Sequence, residues 1–378
     1  MKIGILTFNW AINYGAVLQM FAQYKYLKDK NYDVYIINYS PDELENLYTL
    51  KIFSKPVKAK KIARKIIENV YKRKQYYKFY NFIDQEMVST KKIKNRKELK
   101  DTINKFDIVI VGSDQVWNYD ITKGYLQDYL LTDIDCNKIS YAASLGKNEI
   151  KKEVKGLFEK SLKEFDFISL REENSIDYLK SIYNRKDYVS CIDPVFLLDK
   201  NEWIKLGNRS EYKVESGEYI LIYMLEYNEK LIKSANEISM KYNLPIYSIE
   251  IPYLRFNNKM SNIKKLHDVG PLDFVKLINN AHYVLTNSFH GTAFSLILNK
   301  KFVSFAHSTV NLRMENLLSL YNLNNCQITN NNTIDFIEHI FTKCEQSYKN
   351  KNNRINEVIS NSKKYLINAI DNIDKRSM

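Results

Sequence analysis

The chain has 378 residues, with 57 Lys+Arg against 44 Asp+Glu and 45% hydrophobic residues. That composition is too apolar for a disordered chain, and the length suits two domains better than one. The net charge of +13 is local: residues 51–100 hold 17 Lys/Arg and 4 Asp/Glu, while the remaining 40 basic and 40 acidic residues cancel, which argues against a general nucleic-acid binder.

The first elements read strand, loop, helix, strand. Lys2 to Phe8 is a short apolar run, Asn13-Tyr14-Gly15 is a turn signal, and Ala16 to Leu27 has apolar residues at helical spacing. Asp33 to Tyr39 is a second apolar strand, so the opening is a β-α-β unit of a parallel sheet covered on both faces. An excursion starts at Pro41. From about Ser54 to Phe82 it is helical, with Ile62, Ile66 and Val70 in an apolar stripe between Lys and Arg. The sheet resumes at Phe106 to Val111, Ile139 to Ala143, Phe165 to Leu170 and Tyr188 to Ile192. Each of these strands stops at small or polar residues, and in open α/β sheets ligands bind at such carboxyl ends.

A boundary is expected near Asp193 to Trp203. A second α/β series follows: strand Tyr219–Tyr223, helix about 229–241, strand Pro245–Ile249, helix Leu272–Asn280, strand His282–Thr286, helix Gly291–Leu298, strand Phe302–Phe305 and helix Asn311–Leu320. A long helical pattern runs from about Ser347 to Asp374. The expected fold is α/β, with two Rossmann-like domains facing across a cleft. The expected divisions are 1–198 (with a basic helical insertion at about 41–100), 199–345, and a C-terminal helical tail at 346–378.

The four cysteines show no CxxC spacing and the five histidines do not complete a zinc set, so neither a structural metal nor a disulfide framework is expected. The apolar N-terminal run is too short for a signal peptide, and the longest apolar run, Tyr219 to Leu225, is far short of a membrane span. A cytoplasmic, reduced protein is expected. There is no G-x-G-x-x-G and no P-loop, so no dinucleotide cofactor is expected.

Thr286-Asn287-Ser288-Phe289-His290-Gly291-Thr292-Ala293 is the strongest local signal. A buried strand ends, and polar or small residues lead into an apolar helix whose free N–H groups favour an anion. His290 is placed there either for proton transfer or as part of a capping turn. Arg171 stands at a strand's carboxyl end in a chain with only ten arginines, where it either grips a carboxylate or phosphate or pairs with Glu172 or Glu173. Gly112 to Asn118, containing Ser113, Asp114 and Gln115, offers N–H groups and a carboxylate, or is a turn with Trp117 in the core. Gly15 at the first strand-to-helix turn permits close backbone approach. Arg313 either reaches the cleft or pairs with Glu315.

Six stretches in order, within residues 3 to about 320, resemble the polysaccharide pyruvyl transferase family. They are Gly4 to Phe8 with Asn13-Tyr14-Gly15-Ala16-Val17-Leu18-Gln19, Val111 to Asn118, Ser140 to Ser144, Ser169 to Glu172, Asp193 to Leu198, and Thr286 to Ala293. The resemblance implies a fold like the GT-B glycosyltransferases. It also implies transfer of a pyruvyl group from phosphoenolpyruvate, a donor substrate rather than a cofactor, to sugar hydroxyls of a cell-surface glycan or its lipid-linked precursor. It assigns the general acid to His290 and a donor-binding cation to Arg171. Asn13, Tyr14, Gly15, Ser113, Asp114, Gln115, Asn287, Ser288, Gly291, Thr292 and Arg313 complete the expected substrate site, the N–H groups of Gly291 and Thr292 stabilising negative charge. Family members usually read Arg-Leu-His where this chain reads Ser288-Phe289-His290. A guanidinium is therefore missing; either Arg313 supplies it or the donor differs. The alternatives are a glycosyltransferase-like enzyme using a nucleotide sugar in the same cleft, or a non-catalytic glycan-binding protein. The basic segment 51–100 is either a solvated helix packed on its apolar face or a surface for anionic lipid headgroups or a lipid-linked glycan at the inner face of the plasma membrane; nucleic acid is not an expected partner.

Overall fold

The computed structural model describes residues 1–46, 62–251, 262–306, 312–324, 326–328, 334–350 and 353–377. Short, continuously apolar segments build two six-stranded parallel sheets. In the first, β1 (Lys2–Leu6), β2 (Asp33–Ile36), β3 (Ile108–Val111), β4 (Asn137–Ala143), β5 (Phe167–Leu170) and β6 (Val189–Ser190) lie in the order β2-β1-β3-β4-β5-β6. In the second, β7 (Ile220–Tyr223), β8 (Ile246–Ile249), β9 (Ile263–Leu266), β10 (Tyr283–Thr286), β11 (Lys301–Phe305) and β12 (Gln327–Ile328) lie in the order β12-β11-β10-β7-β8-β9. Both sheets are covered on both faces. Ile108, Val109, Ile110 and Val111 of β3, for example, are all fully buried, and each such side chain stabilises the fold by about 1.5–3 kcal/mol. The fold is α/β, two Rossmann-like halves facing across a cleft in the GT-B manner.

The helices around these sheets include α1 (Tyr14–Lys28), α2 (Ile62–Glu86), α3 (Pro271–Asn280), α4 (Phe289–Ile297), α5 (Leu312–Leu320), α6 (Ile334–Lys349) and α7 (Asn353–Ser377). The chain returns to the first half through α7. Tyr365 Oη donates to Ser140 O at 3.0 Å, Ile192 N donates to Ser362 Oγ at 3.0 Å, and Tyr32 Oη donates to Asp371 at 2.7 Å.

Helix α2, the long helix of the basic segment, bridges the two halves. Gln75 Nε2 donates to Tyr14 Oη (2.7 Å) and to Glu250 O (3.1 Å), and Lys78 Nζ pairs with the buried Asp273 carboxylate at 2.7 Å. Phe79 and Phe82 are buried. Of the stripe expected at Ile62, Ile66 and Val70, the described member is Val70. Val70 is 47% exposed, and the side chains of Ile62 and Ile66 lie outside the described residues. The buried positions Gln75, Phe79 and Phe82 follow helical spacing one turn later. Residues 51–61 also lie outside the described residues. Among the described residues, no helix is long and apolar enough to cross a membrane.

Candidate active site

The site grows from the carboxyl ends of β3 to β6 in one half and β10 in the other. Strand β4 carries an irregularity between Ser140 and Ala143, where Ala142 has a φ of 49°. Two strand serines take over the backbone groups this frees. Ser169 Oγ accepts from Ala142 N (2.9 Å) and donates to Ser140 O (3.0 Å), and Ser140 Oγ donates to Ser169 O (3.0 Å). Ladder pairing then resumes at Ala143, whose carbonyl accepts from Arg171 N at 3.1 Å. The Arg171 backbone is thereby fixed at the strand end.

The Arg171 side chain is 4% exposed. Its Nη1 donates to Asp193 Oδ2 at 2.7 Å, and its Nε reaches Glu172 Oε1 at 3.3 Å. Of the pairings expected for Arg171, the one with Glu172 is present, and the closer partner is Asp193. Glu172 is held in turn by Ser144 Oγ at 2.6 Å. Asp193 Oδ1 accepts from Val195 N at 3.1 Å, capping the turn Pro194–Leu197. That leaves Oδ2 for Arg171, for Ser113 Oγ at 3.5 Å and for His290 Nε2 at 3.6 Å. The last distance is within ion-pair reach and beyond a hydrogen bond. Arg171 Nη2, Glu172 Oε2 and His290 Nε2 are all buried without a hydrogen-bond partner among the described residues. Such groups cost about 1–3 kcal/mol each when left unpaired, and three at one spot mark a place built for something more than packing.

Charge is concentrated here. Burial alone would raise the Asp193 carboxyl, but the His290 imidazole, Arg171 and the Val195 N–H together hold it well below the usual carboxylate range. Burial works against the Arg171 cation, and Glu172, Asp193 and Asp114 outweigh it. Arg313 is pushed down by burial and by the neighbouring Arg171.

His290 comes from the opposite half. Ser288 caps α4 by accepting from Gly291 N at 3.3 Å, which starts the helix at Phe289, two residues earlier than Gly291. Phe289 lies between two cations, its ring centre 5.0 Å from the Arg171 guanidinium and 5.9 Å from that of Arg313. The His290 ring stands perpendicular to Phe289 at 5.2 Å and packs on Gly15 of the first half. A Cβ at Gly15 would overlap the imidazole.

The structure thus brings His290, Arg171, Ser113, Gly15 and Arg313 together, with Asp114 close enough to act on both arginines. Asp114 has a φ of 80° and its carboxylate accepts from Gln115 N at 2.8 Å; Gln115 Oε1 accepts from Asn118. Asn13 caps α1 through Gly15 N at 2.9 Å. Other expected positions are committed to packing. Tyr14 is 1% exposed, stacks on Phe274 at 4.6 Å and donates to Val269 O, so it joins the two halves instead of lining the site. Asn287 is buried and pins the turn after β7 through Leu225 N and Glu226 O, both at 2.8 Å. Thr292 is fully buried against Ser304 and Met314. The charge-stabilising role expected of the Gly291 and Thr292 N–H groups does not fit. The first donates to Ser288 Oγ, and the second to Ser288 O at 3.0 Å. Asp193 and Phe289 are the site residues that sequence reasoning passed over. Asp193 read as a boundary turn, although its place after a strand was a usable signal.

No curated protein sequence matches the chain closely enough to count as a relative. Among solved structures, UDP-N-acetylglucosamine 2-epimerase from Rickettsia bellii is similar with a TM-score of 0.55 at 13% identity, over 99% of this chain and 97% of that one. UDP-GlcNAc 2-epimerase from Neisseria meningitidis bound to UDP-GlcNAc gives 0.52 at 13%, over 98% and 99%. At such identities the likeness is one of fold. The family model for polysaccharide pyruvyl transferase matches residues 13–309, a span that includes Gly15, Arg171, Asp193 and His290. The chain belongs to the polysaccharide pyruvyl transferase family.

Proposed function

We propose that the cleft transfers a pyruvyl group from phosphoenolpyruvate to two hydroxyls of a glycan. The observation that supports this most directly is the buried, incompletely hydrogen-bonded cluster of His290, Asp193 and Arg171, assembled from both halves. His290 protonates the enol methylene carbon, turning it into a methyl group and making the adjacent carbon electrophilic. One sugar hydroxyl adds there and loses its proton. Phosphate then leaves with its bonding electrons, and a second hydroxyl of the same glycan adds and loses its proton, closing the ketal. Arg171 and Arg313 hold the donor's carboxylate and phosphate. Asp193 positions Arg171 and lies as a fixed negative charge beside the His290 ring.

Ser288 is a buried helix cap and presents no cation. Arg313 stands beside the same Phe289 ring as Arg171, which supports it as the replacement. Acceptor-dependent release of phosphate from phosphoenolpyruvate tests the reading: the wild type should show it and His290→Ala should lose it. Full release by His290→Ala would sink the mechanism, and thermal stabilisation by nucleotide sugars alone would favour sugar transfer instead. We also place the enzyme in the cytoplasm, with the basic segment 51–100 meeting an anionic membrane or a lipid-linked acceptor there.

A further inference from the structure

Strand β3 runs on into Gly112-Ser113-Asp114, and at Asp114 the backbone turns with a φ of 80°, a region that residues with a side chain seldom use. The next strand holds it there. Asp114 pairs with Ala143 in a parallel bridge, and its carbonyl accepts from Ser144 N at 3.1 Å. The loop that follows is tight as well. Gln115 Oε1 accepts from Asn118 Nδ2 at 2.8 Å, and a Cβ on Gly146 would overlap both amides.

The result is a carboxylate fixed in place with one oxygen to spare. Asp114 Oδ1 accepts from Gln115 N at 2.8 Å. Among the described residues Oδ2 makes no hydrogen bond or ion pair, and the side chain is only half-buried. The neighbouring carboxylates are engaged. Asp193 gives one oxygen to Val195 N and the other to Arg171. Glu172 gives one to Ser144 Oγ and Arg171, and its other oxygen is buried.

The sheet order puts Asp114 between the two known flanks of the site. In the run β1-β3-β4-β5, β1 leads to Gly15, on which His290 packs, and β5 leads to Arg171. Adjacent strands lie about 4.8 Å apart, so the end of β3 is about 5 Å from the first flank and about 10 Å from the second. Forming a ketal takes a proton from each of two sugar hydroxyls. His290 gives its proton to the methylene carbon while the hydroxyl attacks the neighbouring carbon, and a separate base lets both transfers happen together.

We propose that Asp114 is that base, its Oδ2 taking the proton of the attacking sugar hydroxyl. This rests on the pyruvyl-transfer reading of the cleft. As the hydroxyl oxygen bonds to the central carbon of phosphoenolpyruvate, its O–H bond breaks and the proton passes to the carboxylate. The bond from that carbon to the phosphate oxygen then breaks with its electron pair on the oxygen. The proton of Asp114 leaves with the phosphate, which restores the carboxylate. The second hydroxyl gives up its proton in the same way as its oxygen closes the ketal. Solvent receives that proton and returns one to His290.

Asp114→Asn and Asp114→Gly test this on the full chain, since both new residues tolerate a positive φ. Phosphate release from phosphoenolpyruvate is measured with methyl β-galactoside, methyl β-glucoside and methyl α-mannoside as acceptor probes, and phosphoenolpyruvate binding by calorimetry. Both variants lose about a hundredfold or more in release, the scale of a missing general base, and bind phosphoenolpyruvate no more weakly than the wild type. Formate restores release by Asp114→Gly about tenfold or more, because it can occupy the vacated space as a carboxylate, and does nothing for Asp114→Asn. Asp114→Asn keeps the volume and the acceptor for Gln115 N, so it reports on the charge even if Asp114→Gly folds poorly. Wild-type release by Asp114→Asn overturns the assignment. So does phosphoenolpyruvate binding that weakens in step with release, which would place Asp114 at the donor, and so does a folded Asp114→Gly that formate leaves inactive. A wild type that releases no phosphate with any of the glycosides sinks the transfer reading and the base with it. A wild type that releases it while Asp114→Asn keeps pace sinks the base alone.

Discussion

Gly15 of the first half and His290 of the second are in van der Waals contact, with the imidazole lying where a Cβ on residue 15 would be. The glycine at this turn is therefore explained by its neighbour across the cleft; it has no positive φ to satisfy. Gly15→Ala forces the ring or the half away. Phosphate release should fall by more than about tenfold, equivalent to about 1.4 kcal/mol of barrier. Circular dichroism should show an intact fold. Wild-type turnover in Gly15→Ala would mean that the ring position does not matter.

Asp193 is the buried carboxylate that Arg171 and His290 share. Removing its charge leaves Arg171 without its main partner, and Asp193→Asn should cost about 3 kcal/mol of stability and most of the activity. The sign of the pH effect follows from a carboxyl held low in the folded protein. Its stabilisation is complete above the unfolded value near 3.9 and is lost as pH falls through the lower folded value. Thermal melts of the wild type and Asp193→Asn should differ by a constant amount between about pH 5 and 7, and converge below about pH 4. A gap that widens on acidification contradicts this.

Phe289 offers one ring to two guanidinium groups. Each such contact contributes about 0.5–2 kcal/mol. Phe289→Leu keeps the apolar volume and loses the quadrupole, so KM for the donor should rise by about three- to thirtyfold with kcat little changed. Steady-state kinetics at saturating acceptor separates the two constants, and an unchanged KM would reduce Phe289 to filler.

The described end of the basic segment exposes Val70, Tyr71, Tyr77 and Tyr80 on α2, interleaved with exposed Arg73 and Lys74. Aromatic rings among cations suit the headgroup layer of an anionic bilayer. Flotation with phosphatidylglycerol vesicles should carry the protein at low salt and release it at high salt. A Tyr77→Ser, Tyr80→Ser variant should bind more weakly at every salt concentration. Absence of flotation at low salt removes the membrane from the account.

Much of this fold is legible in the chain because its strands are buried on both faces, and continuous apolar runs such as Ile108–Val111 carry that signature without ambiguity. The strands that escape are edge strands. Ile263-Lys264-Lys265-Leu266 sets two adjacent lysines between its apolar ends at a partly exposed rim, and Gln327-Ile328 is too short to stand out. The tail pattern expected from about Ser347 falls on two helices, α6 ending at Lys349 and α7 starting at Asn353. At the site, strand-end position was enough to point to Arg171 and His290. It could not tell Tyr14, which turns into the interface, from Gly15, which faces the imidazole. Side-chain direction at a loop depends on the other half of the molecule, and no local pattern encodes that. Asp193 was hidden for a related reason: one oxygen does the ordinary work of a cap, and only the fold shows what meets the other.

Among the described elements, the chain passes between its halves from β6 to β7 and again from α6 to α7. Two tethers define a line, and a swing about it, like a door on two hinges, would have to break the contacts that Gln75, Lys78 and Tyr14 make across the halves. Arg171, Asp193 and Gly15 ride on one leaf; Phe289, His290 and Arg313 ride on the other. Any swing parts the acid from the carboxylate beside it and one guanidinium from the ring it rests on. On the pyruvyl-transfer reading, a molecule so parted would be chemically idle: it would hold a donor away from a competent acid, and water would gain no turn before the glycan arrives.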